Sequence, residues 1–296
     1  MTGADTAEDA AYDVVVIGGG LAGLTAGLFA ARYGHSTLVI ESTLPGGHLV
    51  NVAQIEDFPG FPAGVAGYDL GPMVQEQAEQ QGARFTLAEV EGLEPAGEHW
   101  HVLTDQGRYR AAADIVAAGA RPKALGVPGE AAFFGRGVSH CATCDGPLFA
   151  GRAVGVAGGD DWALQEALTL AGHAARVIVL DPEAAFAGQE TYRRRVAAQP
   201  TIEARHSVMV EEVLGDGALT GVRVRDTTTG TGSRIELAGL FVYAGLEPNT
   251  AFLGDRLRLA DDGRVPTDVR LRTALPGVFA AGDIRQDAAG HAVAAA

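Results

Sequence analysis

Cys141 and Cys144 are the only cysteines in the 296-residue sequence, and "SHCATCDGPLF" spaces them as C-x-x-C. That spacing is about one helical turn, which lets one sulfur act as a thiolate while its neighbour closes a disulfide. A helix N-terminus at this point would lower the thiol pKa through its dipole. Asp145, directly after the second cysteine, is suitably placed to shuttle a proton during thiol exchange. Zinc wants four ligands, and His140 alone does not make up for the missing second cysteine pair. Two cysteines are also too few for a secreted disulfide scaffold, so the pair points to redox chemistry in a cytoplasmic chain.

A second chemistry-bearing pattern lies in "YDVVVIGGGLAGLTAGLFAARYGHSTLVIE", residues 12–41. Val14 to Ile17 form a β-branched run typical of a strand buried on both faces. Gly18, Gly20 and Gly23 follow as G-x-G-x-x-G, and Glu41 comes at about the expected 20 residues beyond. The first glycine makes the tight turn and the second lets the backbone approach a pyrophosphate. The third allows close helix–strand packing, while the acid accepts from a ribose hydroxyl. Leu24, Leu28 and Ala31 recur at helical spacing until Gly34 stops the helix. The fingerprint does not separate FAD from NAD.

The pattern returns in "AVGVAGGDDWALQEALTLAGHAARVIVLD", residues 153–181. Gly18 falls on Gly158, Gly20 on Asp160, Gly23 on Ala163 and Glu41 on Asp181. Here two carboxylates, Asp160 and Asp161, stand where a pyrophosphate would arrive. Carboxylates cap a helix N-terminus and offset its dipole, so this helix end already holds its anion. The second unit is expected to keep the fold and to have lost the ligand.

Positioning these groups calls for an α/β fold of two Rossmann-like (three-layer ββα) domains, the second inserted into the first. The expected bounds are 1–119, 120–243 and 244–296. "ARPKALGVPGE" has linker composition and "AGLEPNTAF" reads as the second crossing. Between them the sequence predicts a helix in "LGPMVQEQAEQQGA" and strand segments at 84–91 and 99–103. A buried strand in "ADIVAAGA" and a β-rich region around 220–245 follow. The acidic start, "MTGADTAEDAAYD", reads as a loose tail without a secretion signal. With 47% hydrophobic and 20% charged residues a packed soluble core is expected, and no apolar run is long enough for a bilayer. A net charge of −15 argues against nucleic acid or an anionic membrane as partner.

The segments "IGGGLAGLTAGLFAAR", "PGGHL", "IEDFPGFP", "GARPKALGVPGE", "CATCDG" and "PGVFAAGD", in this order, resemble the low-molecular-weight thioredoxin reductase family. The resemblance implies FAD in the outer halves and redox cysteines in an inserted pyridine-nucleotide domain, in a homodimer. NADPH reduces the flavin in that family, the flavin reduces the disulfide, and the dithiol reduces thioredoxin. Carried over by position, FAD contacts fall on Gly18, Gly20, Gly23, Glu41, Gly46, Gly47, His48, Leu49, Asp57, Val90, Gly119, Gly282 and Asp283. His48 stands where the family usually has Gln, Asp57 where it has Asn, and Ala118 where Thr is common. Cys144 would face the flavin and Cys141 would attack the partner disulfide. The family's helix beside the isoalloxazine runs on through a Gly-rich turn, whereas this sequence ends at Ala296, so that helix's flavin contacts are not carried over.

The second fingerprint departs most from the family. Its middle glycine is Asp160, its neighbour is Trp162, and "VLDPEAAF" lacks the arginines that hold the 2′-phosphate of NADPH. Asp181 suits a free ribose hydroxyl, which favours NADH over NADPH. The departure resembles the NADPH-independent, ferredoxin-dependent flavin branch, with thioredoxin or a small disulfide as the oxidised partner. Arg193, Arg194 and Arg195 in "YRRRVAAQ" offer a landing site for an acidic carrier, although a solvated helix face is the commoner meaning of such a run. Three other readings remain: a nucleotide-dependent reductase with an altered cofactor pose, a flavin-bound sensor or assembly subunit with no turnover, and an oxygen-using dithiol oxidase. Relatives of the latter carry His after the second cysteine, and Asp145 stands there instead.

Overall fold

The β-branched run ending at Ile17 lies in β1 (Glu8–Ile17), flanked in parallel by β2 (Thr37–Glu41) and β6 (Gly107–Val116). The computed structural model describes residues 8–296. The chain divides into two units, one running to Arg121 and resuming at Glu247–Ala296, the other comprising Pro122–Leu246. In the first unit the strand order is β3-β2-β1-β6-β5-β4, with β3 (Arg84–Leu87), β4 (Val90–Ala96) and β5 (His99–Thr104). β17 (Val278–Ala280) pairs in parallel with the end of β6. Helices α1 (Leu21–Arg32) and α2 (Gly67–Gln80) pack on each other.

Two expectations change here. Residues 8–13 are not a loose tail, because Glu8 to Tyr12 pair along β6; residues 1–7 lie outside the described residues. The stretch 84–91 is not one strand. Leu87 pairs with Glu41 on β2, the chain leaves the sheet at Ala88, and β4 then pairs antiparallel with β5.

The passage between units is a two-stranded ribbon of β7 (Ala120–Pro122) and β16 (Leu246–Pro248). The stretch of linker composition begins in β7 and is tied down at its far end. Glu130, buried at the start of α3 (Glu130–Phe133), accepts the Leu125 and Gly126 N–H groups at 2.9 and 2.8 Å. Leu125 and Val127 pack on the core of the second unit.

That unit contains a five-stranded parallel sheet in the order β11-β10-β9-β15-β8. Its strands are β8 (Val138–Ser139), β9 (Ala153–Ala157), β10 (Arg176–Leu180), β11 (Ile202–Arg205) and β15 (Gly239–Val242). An antiparallel meander, β12 (Val208–Asp216), β13 (Ala218–Asp226) and β14 (Gly232–Glu236), starts earlier than the expected β-rich region. Helices α4 (Ala142–Asp145), α5 (Asp161–Ala171) and α6 (Glu190–Ala198) belong to this unit, and a short α7 (Ala292–Ala295) to the first. Each unit therefore repeats strand, glycine turn, helix, strand and a buried acid, Glu41 or Asp181. No described helix is long and apolar enough to cross a membrane.

Candidate functional site

In the first unit the glycine turn after β1 opens directly onto the N-terminus of α1. Gly18 has φ +105°, and a Cβ on it would stand 2.4 Å from the Ala117 carbonyl oxygen. A Cβ on Gly23 would stand 1.9 Å from the Gly18 carbonyl oxygen, so only hydrogen fits where helix meets turn. Gly20 differs: nothing lies within 4 Å of a Cβ built there. It caps α1 without any side-chain hydrogen bond, and the first turn carries no acid. No side chain caps the leading N–H groups, the condition under which a helix end receives an anion. Glu41 Oε2 accepts the Gly19 N–H at 2.6 Å and Oε1 accepts the Thr43 N–H at 2.9 Å.

Other expected contacts gather around this mouth. The Gly46 N–H donates to Gly19 at 2.8 Å, and a Cβ on Gly47 would lie 3.1 Å from the Gly20 Cα. His48 and Leu49 follow in a 3-10 turn, with Leu49 packed on the cluster that includes Leu21. Gly282 approaches the first turn of α1, since a Cβ on it would be 2.8 Å from that of Ala22. Asp283 is next, its carboxyl raised above the usual range by burial, with Arg264 and His291 opposing. Gly119 is held by a residue the sequence reading missed. Asn249 donates its N–H to Gly119 at 3.1 Å and its Nδ2 to Ala118 at 2.8 Å. Val90 starts β4 three residues beyond Leu87, the partner of Glu41. Asp57 lies farther along, its carboxylate 3.6 Å from His291 Nδ1.

The equivalent mouth in the second unit is filled by the chain itself. Asp160 caps α5, accepting the Ala163 N–H at 2.9 Å. Burial raises its carboxyl, Asp161 adds to this, and the hydrogen bond from Ala163 opposes it. The Ala187 and Gly188 N–H groups donate to Gly159 at 3.0 and 3.2 Å. Asp161 accepts from the Gln189 N–H, and from its Nε2 at 3.2 Å. A Cβ on Gly188 would be 3.2 Å from the Asp160 carbonyl carbon and from the Asp161 nitrogen. The 182–189 loop therefore lies across the helix start.

The ribose-side acid is engaged as well. Asp181 accepts the Glu183 N–H at 3.1 Å and faces His206 Nδ1 at 3.2 Å, with the Phe186 ring 4.4 Å from that of His206. Arg205, beside Leu180 on the next strand, turns to Glu203 at 2.7 Å. The arginine run on α6 pairs within its own helix and stays exposed. Arg193 and Arg194 meet Glu190 at 2.8 and 2.7 Å, and Arg195 stacks over Tyr192.

Cys141 and Cys144 form a disulfide with Cα atoms 5.3 Å apart. Cys141, half-buried, caps α4, and its Sγ accepts the N–H of the exposed Cys144 at 3.1 Å. The Cys141 N–H donates to Ser139 Oγ at 3.0 Å, and the Asp145 N–H to the Cys141 carbonyl at 3.1 Å. The expected helix dipole is weak here, because α4 has only four residues. What remains at this sulfur is the direct N–H···S contact. Beneath the turn the Ala142 N–H donates to Tyr243 Oη at 3.1 Å, and Tyr243 donates to Glu166 Oε2 at 3.3 Å. Sequence reading missed both residues, since Glu166 lies inside an ordinary helical pattern and Tyr243 at the end of a buried strand.

An anion-ready helix mouth in one α/β unit and a C-x-x-C disulfide in the other define a dinucleotide-binding protein of dithiol–disulfide exchange. The model of the pyridine nucleotide-disulphide oxidoreductase family matches residues 12–296, and the chain belongs to that family. It is similar to the thioredoxin reductase of Listeria monocytogenes, 38% identical over 281 residues, 94% of this chain and 87% of that one. It is similar also to that of Streptomyces coelicolor, 37% identical, with 96% and 89% covered. Among solved structures, Lactococcus lactis thioredoxin reductase superimposes with TM-score 0.94 at 33% identity, covering 96% of this chain and 94% of that one. The enzyme of T. acidophilum gives 0.93 at 32% identity, covering 97% and 94%. The protein is accordingly a thioredoxin-reductase-like, FAD-dependent disulfide oxidoreductase. The uncapped mouth of α1, with Gly20 clear and Glu41 beside it, fits the flavin's dinucleotide portion.

Proposed function

We propose that the protein passes electrons through FAD to the Cys141–Cys144 disulfide, and from the dithiol to thioredoxin or a small disulfide, without drawing them from NADPH. The observation that carries the reading is the closed start of α5, where Asp160 holds the Ala163 N–H and the 187–189 segment binds across the turn. A pyrophosphate at that mouth would have to displace both the carboxylate and the loop. Ferredoxin, or another small non-pyridine carrier, suits this arrangement because it needs no nucleotide mouth. Thioredoxin as the oxidised partner is supported by the relatives, which are named thioredoxin reductases.

The α1 mouth would hold FAD with Gly18, Gly20, Gly23, Gly46, Gly47 and Glu41 around the dinucleotide. His48, Leu49, Asp57, Val90, Gly119, Gly282 and Asp283 complete the proposed contact set. When bound, FAD supplies the two-electron chemistry that opens the disulfide. The Cys144 N–H then stabilises a thiolate on Cys141, and Asp145, next to Cys144 in the sequence, is assigned to move the proton. Cys144 is assigned to face the flavin and Cys141 to attack the partner. On that assignment Cys141→Ser keeps a long-wavelength thiolate–flavin band and Cys144→Ser lacks it; the opposite pattern reverses the roles.

The decisive experiment is anaerobic. NADPH, NADH and reduced ferredoxin are added in turn and the flavin absorbance is followed. Bleaching by ferredoxin alone is expected. A second reading, a nucleotide-dependent reductase with an altered cofactor pose, is favoured by 37–38% identity to thioredoxin reductases. Rapid bleaching by NADPH would establish it instead.

A further inference from the structure

Glu166 is 2% exposed and sits among apolar neighbours of α5, yet it is a carboxyl group. Its Oε2 accepts from Tyr243, while Oε1 is buried without a hydrogen-bond partner. Burial pushes this carboxyl up to about 7, with the Tyr243 hydroxyl and the nearby Ala142 amide acting against the rise. Tyr243 is 1% exposed, and the Trp162 ring stands edge-on at 4.7 Å, which fixes the phenol in place. A leucine would pack at position 166 without a buried polar cost, so the carboxyl calls for a reason.

The phenol oxygen ends at the Ala142 N–H, the amide in the peptide bond that leaves Cys141. The direction of that N–H is set by the ψ angle of Cys141, which is 100°. Holding the amide therefore holds the Cys141 backbone, and with it the Cys141 Sγ against the Cys144 N–H at 3.1 Å. Glu166 fixes the phenol hydroxyl, the phenol fixes the amide, and the amide fixes the sulfur. The Glu166–Tyr243 bond spans 77 residues, so this support comes from outside the C-x-x-C segment.

We infer that Glu166, acting through Tyr243, is a positioning residue for the redox pair, holding Cys141 so that its thiolate receives the Cys144 N–H once the disulfide opens. In that step the S–S bond breaks and two electrons and two protons enter to give two thiols, one of which ionises. A hydrogen bond to the thiolate favours the reduced pair, because whatever stabilises the dithiol raises the reduction potential. Loss of the support makes the disulfide harder to reduce.

The test equilibrates the intact protein with dithiothreitol redox buffers and counts free thiols by alkylation, so it depends on neither NADPH nor ferredoxin. Tyr243→Phe and Glu166→Leu should each shift the dithiol:disulfide ratio about tenfold toward disulfide, about 30 mV for this two-electron couple. The double variant should shift no further than either single one, because the two residues act in series. Glu166→Gln keeps an acceptor for the Tyr243 hydroxyl and should stay within twofold of the parent. Should Glu166→Leu fail to fold, Tyr243→Phe carries the test, since it removes a single oxygen from the same ring. A Tyr243→Phe ratio within twofold of the parent, or a shift toward dithiol, overturns the inference. A tenfold shift in Glu166→Gln would assign the effect to charge and overturn it equally.

Discussion

The two glycine turns have the same strand before them, the same helix after them and a buried acid at the end of the following strand, yet one mouth is open and the other closed. At α1 the capping position is Gly20, which offers no side chain and leaves the first N–H groups unclaimed. At α5 it is Asp160, which takes the Ala163 N–H, and the loop after β10 supplies further N–H groups to Gly159 and Asp161. The scaffold is thus common to both turns. One residue at the helix cap, together with what the next loop does, decides whether the positive end of the helix is available to an external anion or consumed internally.

The largest effect expected from this contrast is on NADPH, which should reduce the flavin very poorly. A carboxylate about 4 Å from a pyrophosphate charge repels it by about 4 kcal/mol at an effective dielectric near 20. Each missing charge-assisted bond to the 2′-phosphate removes about 1.5–3 kcal/mol more. Together these put affinity beyond about a millimolar. Anaerobic bleaching by sub-millimolar NADPH would break the comparison.

Next comes the mirror experiment, Gly20→Asp. Nothing lies within 4 Å of a Cβ there, so the carboxylate has room at the α1 mouth. The same repulsion of about 4 kcal/mol lowers FAD affinity by about three decades. The ratio of flavin to protein absorbance measures it, and a variant as yellow as the parent would show that charge at the cap is not what separates the mouths.

The units also differ in how they bury an acid. Glu166 has Tyr243, whereas Asp114 on β6 is fully buried with neither carboxyl oxygen partnered, and burial pushes it up to about 7. The folded chain keeps a proton that the unfolded chain gives up between about pH 4 and pH 7, so stability falls as pH rises through that window. At about 1.4 kcal/mol per pH unit the loss is about 4 kcal/mol. Asp114→Asn should flatten that slope in denaturant unfolding series at several pH values. An unchanged slope would show that Asp114 ionises freely in the fold.

The smallest effect is that of Asp160→Ala. It should destabilise by about 1 kcal/mol through loss of the cap. It should not confer NADPH use, because the 187–189 segment still crosses the turn. Flavin bleaching by NADPH in this variant would make the carboxylate the whole of the block.

Local chemistry made much of the site legible in advance. Gly18, Gly20, Gly23 and Glu41 announce their roles by type and spacing, because a tight turn, a close backbone approach and a ribose acceptor each demand one kind of residue. Asp160 as a helix cap was equally readable, since capping is settled within four residues. The break at Ala88 was not, because a strand's neighbours are chosen by the sheet and not by the strand. Gly188 gave no sign of lying on the α5 start, whereas the solvated helix face expected as the commoner meaning of the arginine run agrees with the pairing of Arg193 and Arg194 to Glu190 one turn away. Glu166 and Tyr243 are hidden most deeply. Their types fit a helix and a strand, and only the packing of α5 against α4 and the end of β15 joins them under Cys141. Short-range hydrogen bonds and backbone sterics are written in neighbouring residues, whereas a hydrogen bond between residues 77 apart exists only once the sheet has brought its ends together.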